Sequence, residues 1–154
     1  MKKSEKILSL LYIVTDYSLI FLFTYTGISK LMDHNNFETT LLQSPIIRNQ
    51  GEILSWLIPF AELFTVFLLL LNTYKQVGYL LSLLLMAMFT GYITYMILFI
   101  PHLPCSCGGI LKELSWSNHL LLNSFLIMLI IISLHSISKN KNFIAINRLS
   151  RKPV

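Results

Sequence analysis

Residues 53–71 read ILSWLIPFAELFTVFLLLL, an apolar run broken by a single charge, Glu62. As a helix rising 1.5 Å per residue, this run spans about 28 Å, close to the ~30 Å hydrocarbon core of a bilayer. Three more runs of the same character lie at about 7–29, 77–100 and 118–137. Hydrophobic residues make up 55% of the 154-residue chain and charged residues 12%, against about 25% charged in soluble domains. Mean hydropathy is +0.66. The expected fold is an all-α membrane protein, a single domain of four transmembrane helices in a bundle.

The net charge of +5 is not spread like a nucleic-acid footprint. Nine of the 12 Lys and Arg fall in the leader (Lys2, Lys3, Lys6), one short loop (Lys75) and the tail (Lys139, Lys141, Arg148, Arg151, Lys152). Lys30, Arg48 and Lys112 alone lie in the other two loops. This asymmetry places both termini in the cytoplasm by the positive-inside bias. It also sets the basic tail, 138–154, against anionic headgroups. The first run is too long for a signal-peptide core and is followed by no small-residue cleavage site, so it reads as an uncleaved anchor.

Between the first two runs, His34-Asn35-Asn36 and the apolar positions Phe37, Leu41, Leu42, Ile46 and Ile47 suit a short interfacial helix broken at Pro45. This forms an extracytoplasmic cap. Asp16, Phe23, Gly27 and Lys30 share one face of the first helix, which should therefore point into the bundle. Glu62 lies deep in the second helix, just after the helix-breaking Pro59. Carboxylates in hydrocarbon are costly and are functional candidates by default, so Asp16, Lys30 and Glu62 are expected to form one buried polar site. The bland alternative is neutral acids hydrogen-bonded to neighbouring Thr, Ser or Tyr. Thr90, Gly91, Thr94 and Tyr95 cluster in the third helix, with Gly91 expected at a close helix approach.

Both cysteines sit in one polar break, His102-Leu103-Pro104-Cys105-Ser106-Cys107-Gly108-Gly109, on the extracytoplasmic side where disulfides persist. A disulfide needs Cα atoms about 4.4–6.8 Å apart, near the far limit for extended residues i and i+2. Gly108 and Gly109 allow the bend that would close it. A bridge this short closes almost no loop and is a poor staple, and a strained, exposed disulfide tends to be exchangeable. Three readings stay open. One is a redox pair, with His102 or His119 favouring the thiolate. The second is a soft-metal site of Cys105, Cys107 and one of those histidines. The third is a pair of packed, reduced thiols. A redox pair without a second pair in the chain must pass electrons to a partner protein or directly to a bound quinone.

The set Gly27-x-x-Lys30-Leu31-x-Asp33 with Phe37, Pro59-x-x-Glu62-Leu63 and Cys105-Ser106-Cys107-Gly108-Gly109 resembles the MauE/DoxX family of small four-helix membrane proteins, in its MauE-like branch. Ser115-Trp116-x-x-His119-Leu120-x-x-Asn123 continues the likeness, whereas Gly108 stands where many members carry Phe. The resemblance implies a bacterial inner-membrane protein supporting oxidative maturation of extracytoplasmic proteins, of the methylamine-utilisation type. Cys105 and Cys107 would exchange with a thioredoxin-like or secreted disulfide-containing protein. The competing classes are a non-catalytic assembly or metal-binding membrane protein and a small-solute transporter. The absence of an inverted repeat speaks against the transporter.

Overall fold

A computed structural model of the chain describes the backbone of residues 3–99 and 116–150 and the side chains of residues 10–99 and 118–135. Five α-helices follow in order: α1 (Lys3–Met32), α2 (His34–Gln43), α3 (Gly51–Leu70), α4 (Lys75–Phe99) and α5 (Trp116–Ser150). A 3-10 turn at Arg48–Gln50 leads into α3. No strand occurs among the described residues. Four helices carry segments long and apolar enough to cross a membrane: Leu10–Met32, Arg48–Leu70, Lys75–Phe99 and Asn118–His135. The chain is a multi-pass, all-α membrane protein.

α1 packs against α3 and α5, and α4 packs against the same two helices. The four long helices thus form a ring in which α1 and α4 lie across one diagonal. Hydrophobic burial does not hold such helices together in lipid, so close packing and polar contacts must. Two glycines permit that packing. A Cβ on Gly27 of α1 would meet Leu63 Cγ at 3.1 Å and the Pro59 carbonyl at 3.4 Å. On Gly78 of α4 it would meet the Leu69 backbone nitrogen at 3.1 Å. Gly91, expected at a close approach, has nothing within 4 Å among the described residues. It faces outward on α4, while the inward positions of that half belong to Ile93 and Met96.

The bundle's centre holds Leu19, Phe23, Leu69, Tyr79, Leu85, Met86, Leu126, Leu129 and Ile130. The outer face of α3 carries Ile53, Trp56, Phe60, Phe64 and Phe67, all exposed at helical spacing and suited to lipid. α3 stays helical through Pro59, which is itself buried.

The ends of the helices differ from the sequence-based boundaries. α1 starts in the basic leader, and α5 continues to Ser150, well beyond 137, because no Gly or Pro interrupts residues 136–150. The cap is a real helix. α2 buries Leu41 and ends at Ser44, and its Leu42 lies against Gly51 at the start of α3.

Candidate functional site: two buried ion pairs on one helix

α1 stops at Met32, whereas α3 and α4 rise well above that level, and α2 packs on α3 near that end. Glu62 lies eleven residues into α3 from Gly51, about 16 Å along its axis. Lys30 is only two residues from the end of α1. The close approach at Gly27 brings these two helices together one turn below Lys30, and the lysine reaches Glu62. Its Nζ donates to Glu62 Oε1 at 2.7 Å, with side-chain exposures of 10% and 1%.

Two rings flank the Lys30 ammonium. Phe37 of α2 lies 5.7 Å from it and Phe89 of α4 lies 5.2 Å away, both ring distances suited to cation–π attraction. The Thr26 hydroxyl neighbours Glu62 from α1. Glu62 Oε2 and Thr26 Oγ1 are both buried without a hydrogen-bond partner among the described residues.

Asp16 is placed elsewhere. Fourteen residues before Lys30 on α1, about 21 Å away, its Oδ2 accepts from Lys75 Nζ at 2.8 Å. Lys75 is the first residue of α4 and reaches across the bundle diagonal. Tyr12 lies 5.3 Å below the same ammonium and stacks at a tilt on Tyr79, 5.7 Å between centroids. Ser133 of α5, also buried, neighbours the Tyr79 hydroxyl. The expected single site of Asp16, Lys30 and Glu62 is therefore two sites. Glu62 meets Lys30, and Asp16 meets a lysine from the opposite end of the bundle.

Between the two pairs the interior is apolar: Leu19, Phe23 and Leu69 are fully buried, with Leu85, Met86 and Leu126 around them. The polar side chains at this level, Thr65 and Ser82, donate to the Ala61 and Gly78 carbonyls of their own helices. Neither bridges the two sites.

Above Lys30, His34 of α2 stacks on Trp56 of α3 at 4.1 Å and faces Glu38 at 3.5 Å. His119 and Asn123 are buried on the first turns of α5, as their shared face predicts. His102, Cys105 and Cys107 lie outside the described residues. The helices that flank them are described, and α4 ends and α5 begins at the membrane end that carries α2. Among the described residues, no three His, Cys, Asp or Glu side chains gather into a metal-sized group.

The family model of the methylamine utilisation protein MauE matches residues 8–136. The chain belongs to the MauE family. The match runs from the second turn of α1 through the membrane part of α5 and takes in the cysteine segment. Searches of curated proteins and of solved structures return no match. In this MauE-family member the residues that carry the sequence likeness converge: Gly27 on Pro59, Lys30 on Glu62, Phe37 over Lys30. Asp33 accepts from the Asn36 side chain at 2.7 Å at the start of α2.

Sequence reasoning missed Thr26, Lys75, Tyr12, Tyr79, Phe89 and Ser133. One signal was available for Lys75. It is the lone cation in a short turn between two membrane helices, and Asp16 is the lone acid within the membrane-spanning part of α1, Leu10–Met32.

Proposed function

We propose that this MauE-family protein carries out thiol–disulfide exchange with a thioredoxin-like partner outside the cytoplasm, through Cys105 and Cys107. The observation that carries the reading is the Cys105-Ser106-Cys107-Gly108-Gly109 stretch inside the matched family region, joining α4 to α5 at the α2 end. The charge bias supports an extracytoplasmic position for that end, since Lys75 and both basic termini belong to the other.

The exchange balances without any further reagent. A thiolate of the pair attacks the partner's disulfide, whose S–S bond breaks as a mixed disulfide forms. The second cysteine then attacks its neighbour's sulfur, releasing the partner as a dithiol and leaving Cys105 joined to Cys107. The reverse sequence returns both electrons. Gly108 and Gly109 give the backbone freedom to open and close so short a bridge.

Trapping of the mixed disulfide tests this. In membranes carrying the Cys107→Ser variant, Cys105 is expected to hold a thioredoxin-like protein in a reducible adduct, and Cys105→Ser/Cys107→Ser to hold none. Thiols that stay fully reduced in the wild type, or stoichiometric cysteine-dependent metal in the purified protein, would sink the reading.

A further inference from the structure

The end of the bundle opposite α2 carries most of the positive charge of the chain, and the helices fix the height at which that charge sits. Tyr79 of α4 ties two other helices together there. Its hydroxyl donates to the Tyr12 carbonyl of α1 at 3.4 Å and neighbours the Ser133 hydroxyl of α5. Tyr12 and Ser133 therefore lie close to one level of the bundle. α1 and α5 pack on each other and run antiparallel past that level.

Both helices continue outward from it, α1 back to Lys3 and α5 on to Ser150. Lys6 lies six residues from Tyr12 and Lys139 six residues from Ser133, about 9 Å along either axis. Lys3 lies about 14 Å out on α1, and Lys141 about 12 Å out on α5. The apolar runs stop at the first of these heights. Ile7 is the neighbour of Lys6, and Ile137 is the last apolar residue before Lys139. The four lysines thus fall in a layer about 5 Å deep just beyond the apolar runs, which matches a headgroup layer of about 5–8 Å.

The other charges at this end do not compete for that layer. Lys75 is held by Asp16 at 2.8 Å inside the bundle. Glu5 is the one acid among these positions, against four lysines, and no acidic residue follows Glu113. Arg148 is fifteen residues past Ser133, about 22 Å out and beyond the headgroups.

We propose that the start of α1 and the extension of α5 form a site for an anionic phospholipid, with Lys3 and Lys6 on one helix and Lys139 and Lys141 on the other. The preferred lipid carries two phosphates, as cardiolipin does, because each helix offers a pair of cations at phosphate height. Helices that hold the lysines at set heights lose less freedom on binding than a flexible basic tail would. The site uses none of the residues assigned to thiol exchange, and it stands or falls separately from that reading.

The full-length protein in detergent micelles provides the test, with cardiolipin, phosphatidylglycerol and phosphatidylethanolamine as probes and native mass spectrometry as the readout. One cardiolipin is expected to stay bound per chain, more tightly than either of the other lipids. Lys6→Gln and Lys139→Gln should each weaken cardiolipin binding roughly five-fold, and together about 25-fold, the effect of removing one lysine at a time from a lipid phosphate. Glutamine keeps the helix propensity of lysine, and far-UV circular dichroism checks that each variant is folded. Arg148→Gln/Arg151→Gln removes the same charge farther along the chain and should leave cardiolipin binding unchanged. An equal loss in that variant marks diffuse attraction of the whole tail and overturns the proposal. So does a wild-type chain that binds cardiolipin no better than phosphatidylglycerol, or a Lys6→Gln/Lys139→Gln variant that binds it as tightly as wild type.

Discussion

The Asp16–Lys75 pair makes an uneven prediction: losing the lysine should hurt far more than losing the acid. Asp16 lies six residues inside the span that begins at Leu10, about 9 Å along α1, with its side chain 10% exposed. Its Oδ2 has the Lys75 ammonium as partner, and its Oδ1 has none among the described residues. Lys75 starts α4, and its side chain is 20% exposed. Lys75→Met strands a buried carboxylate without a counter-ion. Breaking a buried pair from one side costs about 3–5 kcal/mol, and the lower end, about 3, applies at a site this close to the surface. In Asp16→Asn, by contrast, the lysine can swing its ammonium out to water along its apolar stem, and the cost should stay below about 1 kcal/mol. The double variant should return to about 1 kcal/mol, because it leaves no stranded charge. Reversible unfolding in mixed micelles, followed by far-UV circular dichroism, measures all three. Lys75→Met is then about 100-fold less favourably folded than wild type. Equal losses for the two single variants, or a double variant that costs their sum, would refute the reasoning.

Three glycines should respond to alanine in a fixed order. At Gly78 the new methyl meets backbone atoms of Leu68 and Leu69 at 3.1–3.2 Å, which cannot yield without moving α3 from α4, so about 2 kcal/mol is expected. At Gly27 it meets the flexible Leu63 side chain at 3.1 Å, and about 1 kcal/mol should suffice. At Gly91 it meets nothing among the described residues, and the better helix propensity of alanine should leave stability unchanged or slightly raised. The same unfolding assay ranks them. Phe89→Leu keeps bulk beside Lys30 but removes the ring face 5.2 Å from its ammonium, and should cost about 1 kcal/mol. That loss should vanish in a Lys30→Met background, which a double-variant cycle reads directly.

Some of this was open to reading along the chain, and some was not. The inward stripe Asp16, Phe23, Gly27 and Lys30 was legible from period alone, and all four residues are buried. The cap was legible between the first two spans because a polar start and spaced apolar positions suit no membrane span, although its helix ends at Gln43, ahead of the expected break at Pro45. Gly91 shows the limit. Its neighbours Thr90 and Thr94 suggested a packed polar seam, but both hydroxyls are satisfied within α4, so the sequence pattern carried no information about a second helix. Asp16 shows a second limit. Depth counted along one helix said that it needed a partner, and gave no reason to choose Lys75 of α4 over Lys30 or Glu62.

The four spans, the cap and the inward face of α1 were determined by the amino-acid sequence alone. Lipid makes every unpaired backbone group and stray charge costly within its own segment, so composition and period suffice to read them. Which charge meets which was decided only by the tertiary structure. That depends on the ring order that sets α1 opposite α4, and on the end of α1 at Met32, which leaves Lys30 beneath α2 and level with Glu62. A helical period names the face a residue occupies. The neighbour across from it is fixed by the packing of whole helices, and here that packing divided one expected polar site into two.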